Sequence, residues 1–137
     1  MTETQALSPS SEPAAADHVG ALPEISVVVT AFDEADVIEE LHRRVTATLR
    51  TLGRPYELLV VDDGSRDGTF AVLERLRAGD ACLRAVRLKR NVGQHPAMHA
   101  GLSRARGAVI VTMDGDLQNP PEDIPRLVEA VEAGYDV

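Results

Sequence analysis

The sequence predicts an α/β fold with a mainly parallel sheet and helices on both of its faces. Short β-branched runs alternate four times with segments of helical period. The first two of those runs are apolar almost throughout, as strands covered on both faces are. Glycine and proline fall at the junctions, where helices stop and turns begin.

Residues 1–23, MTETQALSPSSEPAAADHVGALP, are rich in Ser, Ala, Pro and Glu and lack periodicity. They read as a disordered tail, leaving 24–137 as the folded unit. ISVVVTA (25–31) is the first buried strand. Ile38, Leu41, Val45 and Leu49 then recur at helical spacing, and Gly53 stops the helix. YELLVVD (56–62) is the second strand. Thr69 to Ala78 is a helix with Phe70, Leu73 and Leu76 on one face. LRAVRL (83–88) is the third strand, and a helix from Gln94 to Arg106 closes at Gly107. AVIVTM (108–113) is the fourth strand. Pro121 suits a first helical turn, and Ile124, Leu127, Val128 and Val131 form the stripe of a last helix. YDV (135–137) reads as the start of a fifth strand.

The formal charge of −8 argues against a nucleic-acid partner held through its phosphates. Residues 1–24 carry Glu3, Glu12, Asp17 and Glu24 and no Lys or Arg, which is half of that excess. Cys82 is the only cysteine, which excludes an internal disulfide. No apolar run approaches the roughly 18–20 residues that span a bilayer. The N-terminus lacks the basic and apolar regions of a secretory signal.

In parallel sheets of this kind ligands bind outside the carboxyl ends of the strands. Polar residues follow every strand: Asp33, Glu34 and Asp36, behind Phe32, the first, Asp62, Asp63 and Ser65 the second, Lys89, Arg90 and Asn91 the third, Asp114, Asp116 and Gln118 the fourth. No glycine-rich phosphate loop is present, neither G-x-G-x-x-G after the first strand nor G-x-x-x-x-G-K-[ST]. A phosphorylated ligand then calls for a metal. MDGDLQ offers carboxylates at a strand mouth, and magnesium or manganese takes one or two of these together with substrate phosphates. A solvated turn would carry the same letters. VVDDGSRDGTF permits two readings. Asp63, Ser65, Asp67 and Glu74 match a calcium loop, whereas a strand end, a turn and a helix start use the same residues. YELLVV ahead of it is a strand, and a calcium loop requires a helix there. His95 and His99 lie four apart on one helix without an evident third metal ligand. Lys89 and Arg90 suit either phosphate or solvent.

These stretches resemble the inverting nucleotide-sugar glycosyltransferases of family 2, which have the GT-A fold. The likeness runs from about Glu24 to Val137. It is carried by ISVVVTAFDEADVIEEL, VVDDGSRDGT, RNVGQHPAMHAGLSRARG and VTMDGDLQNPPEDIPRLVEAVEAGYDV. Within the family the D-x-D followed by L-Q-N-P-P-E, with GQHPA, is most similar to the undecaprenyl-phosphate 4-deoxy-4-formamido-L-arabinose transferases. Dolichyl-phosphate mannosyltransferases are cousins. The resemblance implies that Glu34 and Asp63 hold the base and ribose, with Thr30 and Phe32 beside them. It implies that Asp114 and Gly115 contact the nucleotide, and that Asp116 and Gln118 hold a divalent ion, Mg2+ or Mn2+, on the diphosphate. Thr30 stands where the family has proline, Phe32 tyrosine, Asp33 asparagine and Gly115 alanine.

The implied function is donor binding for metal-dependent sugar transfer from a nucleotide-sugar, with a polyprenyl phosphate as acceptor. A non-catalytic nucleotide-sugar binding module and the calcium loop are the alternatives. Catalytic residues, and the segments that would contact a membrane, are expected beyond Val137, so the 137-residue chain is expected not to turn over alone. The implied location is the cytoplasm or the cytoplasmic face of the membrane.

Overall fold

The computed structural model describes residues 2–4 and 22–134. Its long strands are β2 (Ile25–Ala31), β3 (Tyr56–Asp62), β4 (Leu83–Arg87) and β5 (Val109–Asp114). They are mutually parallel, in spatial order β4-β3-β2-β5. The helices are α1 (Ile38–Thr51), α2 (Thr69–Ala78), α3 (Gln94–Leu102) and α4 (Ile124–Glu132), the last entered through a tight turn at Pro121–Asp123. The α/β expectation holds. The first two strands and α2 have the bounds that the sequence predicts.

Two features differ from expectation. Thr2–Thr4 form a short strand, β1, antiparallel to β4, where the sequence shows no strand pattern. Three residues are too few for an alternation to register, and the pairing caps the β4 edge. The rest of the predicted tail, and YDV at 135–137, lie outside the described residues. Helix α3 ends at Leu102 rather than Arg106. The chain leaves the helix because the Arg106 and Gly107 amides are drawn to Glu57 (2.7 Å) and Ser26 (2.8 Å).

Strand alternation assigns residues to faces. Val27, Val29, Leu58, Val60, Ala85 and Val111 meet Ile38, Leu41, Val45, Leu73, Ile124 and Val128 of α1, α2 and α4. On the opposite face Val28, Leu59, Val61 and Val86 meet Ala97 and Ala100 of α3. Gly101 allows that helix to approach: a Cβ there would lie 2.5 Å from Val28 Cγ1. Below α3, Glu57 is 2 % exposed yet charged. It accepts from Ser26 Oγ (2.6 Å), Arg84 Nη1 (2.8 Å) and the Arg106 amide. Those partners hold its carboxyl below the ordinary value against the upward pull of burial. This network sits at the amino ends of the strands and anchors the edge opposite the site.

Candidate active site

The chain steps outward from β2 to β3 to β4, then returns to place β5 on the other side of β2. Strand order reverses between β2 and β5, and such a reversal opens a crevice at the carboxyl ends. A cavity of about 260 Å³ lies there. Thr30, Phe32 and Glu34 border it from β2, Asp63 from β3, and Asp114, Gly115 and Asp116 from β5. Asn91, Gly93 and Gln94 supply the wall between β4 and α3. Every predicted nucleotide-binding position thus reaches one cavity. Gln118 does not border it. It sits on the adjoining turn, where its amide donates to Asp116 Oδ1 at 3.1 Å.

The loop after β2 is fastened to the loop after β3. Asp33 N–H donates to Ser65 Oγ (2.9 Å) and Glu34 N–H to Thr69 Oγ1 (2.9 Å). Arg66 N–H donates to Asp33 Oδ1 (2.8 Å) and Ala35 N–H to Asp67 Oδ2 (3.3 Å). Asp33 holds φ +53°, a left-handed conformation that Asn and Asp tolerate better than most residues. Its carboxylate is therefore engaged within the loop.

The paired aspartates divide by face. Asp62 is fully buried, and its Oδ1 accepts the Ser65 amide at 2.9 Å. Burial pushes its carboxyl up. Asp63, 4 % exposed, accepts Asn91 Nδ2 (3.0 Å), Val92 N–H (2.8 Å) and Gly93 N–H (3.1 Å). It borders the cavity while shaping the cavity's third wall. Gly64 brings these loops together: at φ +71°, a Cβ would lie 2.3 Å from the Arg90 carbonyl carbon. Gln94 Nε2 donates to Asp114 Oδ1. The Gly115 amide donates to Thr30 O at 2.8 Å, the same oxygen that a Cβ on Gly115 would meet at 2.9 Å.

The calcium reading fails on this geometry. Asp63 is bound by the 91–93 loop, Ser65 by Asp33 and Asp67 by Thr69, while Glu74 lies along α2 near Arg77. The four side chains do not converge. Among the described residues no group of three or more His, Cys, Asp and Glu is placed to hold a metal ion, so His95 and His99 gain no third ligand there.

The residues present do fit an ion shared with a ligand's phosphates. Negative charge is concentrated at the cavity: burial, then the Asp116, Asp67 and Asp33 carboxylates, push the Glu34 carboxyl up from its ordinary value. Asp116 presents a carboxylate on a strained turn, because the next residue, Leu117, has φ +63°. One or two carboxylates with the remaining positions left to phosphate oxygens is how magnesium-type ions bind substrates.

Sequence reasoning missed the stitching roles of Ser65, Asp67 and Thr69 and the wall residue Gly93. Short side chains that accept amide hydrogen bonds were the available signal.

This parallel α/β architecture, with an acidic crevice at its switch point, is the fold of the GT-A glycosyltransferases. The family model of Glycosyl transferase family 2 matches residues 26–137, and the chain belongs to that family. It is 49 % identical over 114 residues to the undecaprenyl-phosphate 4-deoxy-4-formamido-L-arabinose transferase of Pseudomonas paraeruginosa, across 82 % of this chain and 34 % of that protein. The Klebsiella pneumoniae protein of the same name is 50 % identical over 115 residues, across 83 % and 35 %. The chain thus spans about a third of the length of these curated relatives. Among solved structures it is similar to a mannosyltransferase from Pyrobaculum calidifontis in complex with GDP-Man and Mn2+. That match has a TM-score of 0.64 and 26 % identity, over 93 % of this chain and 37 % of the other. It is also similar to glucosyl-3-phosphoglycerate synthase from Mycobacterium tuberculosis with Mn2+, UDP and phosphoglyceric acid, with a TM-score of 0.63 and 26 % identity, over 88 % and 42 %.

Proposed function

We propose that this chain is the donor-binding half of an inverting, metal-dependent glycosyltransferase that uses a nucleotide-sugar and a polyprenyl phosphate. The convergence of Phe32, Glu34, Asp63, Asp114 and Asp116 on one cavity at the switch point carries the proposal. Relatives named as undecaprenyl-phosphate transferases support the acceptor class. Solved neighbours holding Mn2+ with a nucleotide or nucleotide-sugar support the ion.

In this reading Phe32 offers a ring for the base to stack on. Glu34 and Asp63 accept from base and ribose, the latter through a carboxylate already fixed by three donors. Gly115, lacking a side chain, lets its own backbone lie close against Thr30 and Ala31, which shapes the cavity wall at the strand end. Asp116, with Gln118 beside it, would hold a divalent ion. When bound, that ion stabilises the charge developing on the departing diphosphate. The acceptor oxygen bonds to the anomeric carbon as the bond to the diphosphate oxygen breaks, which inverts that centre. A phosphate acceptor is largely ionised near neutral pH, its second pKa being about 6, so it needs no general base. Among the described residues no helix is long and apolar enough to cross a membrane. The proposed location is the cytoplasm or the membrane's cytoplasmic face.

Calorimetry with a nucleoside diphosphate tests this. Binding is expected in the presence of Mn2+, to weaken with chelator, and to be lost in Asp116→Ala. Equal affinity with and without metal would overturn the proposal.

A further inference from the structure

Three cavities lie side by side along the carboxyl edge, and their chemistry changes from one to the next. The switch-point cavity is acidic. Beside it, sharing Phe32 and Asn91, is one of about 490 Å³ bordered by Arg66, Lys89 and Arg90. Beyond that, sharing Lys89 and Arg90, is a groove of about 370 Å³ with Leu88, Val92 and Pro96 as its apolar walls.

The cations of the middle cavity are available. Most described arginines pair with a carboxylate, as Arg43, Arg44, Arg54, Arg75 and Arg84 do. Among the described residues no carboxylate lies within 4.0 Å of Lys89 or Arg90, and both side chains are exposed. Arg66 has one loose contact, 3.8 Å to Asp33, and rests 5.6 Å over the Phe32 ring. Val92, 41 % exposed, is an apolar side chain standing out among them.

We propose that this lip, from the end of β4 to the start of α3, docks on a membrane surface carrying anionic phospholipid. Arg66, Lys89 and Arg90 meet headgroup phosphates, and Val92, flanked by Leu88 and Pro96, enters the acyl boundary. The inference rests on the reading above, because a lipid-linked acceptor must be met at a membrane. It assigns a membrane contact to this chain itself.

Distance decides between a surrounding lipid and the acceptor's own phosphate. Strand β4 lies three strand spacings from β5, about 14 Å. An attacking phosphate oxygen has to come within about 3.5 Å of the sugar carbon, which the Asp116 end of the cavity holds. Arg66, Lys89 and Arg90 border the two outer cavities and none of them borders the one that Asp116 lines, so they do not present the nucleophile. They are placed instead to orient the molecule. A chain of net charge −8 is repelled by an anionic surface unless its unpaired cations lead.

Vesicle flotation of the 137-residue chain tests the proposal. Partition onto phosphatidylcholine doped with phosphatidylglycerol should exceed that onto phosphatidylcholine alone, and should weaken with added salt. The double variant Lys89→Ala with Arg90→Ala should lower it about 25-fold, about fivefold per cation. Val92→Asp should lower it as well. Calorimetric nucleotide binding by the double variant should match the parent, which separates loss of docking from loss of fold. Equal partition onto both vesicle types overturns the proposal, as does unchanged partition of the double variant. Full competition by inorganic phosphate would make the lip a small-anion site. Undecaprenyl phosphate sufficing in phosphatidylcholine alone would make it an acceptor subsite. Either result also overturns it. Absence of nucleotide binding would sink the donor-site reading while leaving the vesicle result standing.

Discussion

Gly64→Ala is the substitution whose cost the structure defines best. Gly64 has φ +71°, and its missing Cβ would fall 2.3 Å from Arg90 C, 2.5 Å from Asn91 N and 2.8 Å from Arg90 Cα. All three are backbone atoms, so no side-chain rotation relieves the clash. The left-handed conformation costs an alanine about 1 kcal/mol. Restoring ordinary contact moves the 90–91 backbone by about 1 Å, which breaks or stretches the bonds from Asn91, Val92 and Gly93 to Asp63. Hydrogen bonds to a charged group are worth about 1.5–3 kcal/mol each, and losing one brings the total to about 2.5–4 kcal/mol. At a urea slope of about 1.5 kcal/mol/M the midpoint should fall by about 2–3 M, read by circular dichroism. Gly68 provides the control. It has nothing within 4 Å of its would-be Cβ and φ −84°, so Gly68→Ala should stay within about 0.5 kcal/mol. If Gly64→Ala shifts the midpoint no more than Gly68→Ala does, the close packing of these two loops is wrong.

Other outcomes follow from the buried charges. Glu57→Ala should destabilise by about 3–5 kcal/mol in the same assay, because it strands Arg84 and the Arg106 amide without the carboxylate they share. Asp80 joins α1 to the α2–β4 loop, accepting His42 Nε2 at 2.7 Å and the Cys82 amide at 2.9 Å. Those partners hold its carboxyl below the ordinary 3.8 despite burial. A lowered pKa means that the stabilisation is complete above the unfolded value and disappears as pH falls through the folded one. Asp80→Asn should therefore be less stable than the parent near neutrality. The two should converge as pH drops below about 4, followed by acid titration of the circular dichroism signal.

The scaffold was legible because its signals are local. ISVVVTA and YELLVVD are continuous β-branched runs, and Ile38, Leu41, Val45 and Leu49 mark one face of a helix ended by Gly53. All four of those helix residues are buried. The topology rule then placed Glu34, Asp63 and Asp114 at one edge before any coordinates. What the letters did not disclose depends on contacts between distant segments. Arg106 sits in a stretch of good helix formers, yet the chain departs at Leu102 because Glu57, 49 residues earlier, captures its amide. Ser65 and Thr69 carry no signal that they bind the amides of Asp33 and Glu34 rather than their own turn. Gln118 lies two residues from Asp116, as a shared face requires, but the positive φ of Leu117 turns the chain between them.

That division clarifies why so acidic an edge is stable without a ligand. Asp33, Asp63 and Asp67 accept backbone amides of neighbouring loops, and Asp62 that of Ser65 in its own turn, so their charge serves to hold the loops in place. Among the described residues Glu34 has no comparable donor, and burial, then the Asp116, Asp67 and Asp33 carboxylates, push its carboxyl up. The charge not spent on tying loops together is therefore concentrated around Glu34 and around Asp116, which accepts the Gln118 amide of its own turn, and a cation there would relieve it. Glu34→Gln removes one charge from that field without touching an Asp116 ligand atom. The ratio of nucleotide affinity with Mn2+ to affinity without it should fall about fivefold, the effect of one charge at a screened surface site. Calorimetry at matched ionic strength measures both terms. An unchanged ratio would mean that Glu34 acts on the nucleotide alone and that the acidic field does not recruit the ion.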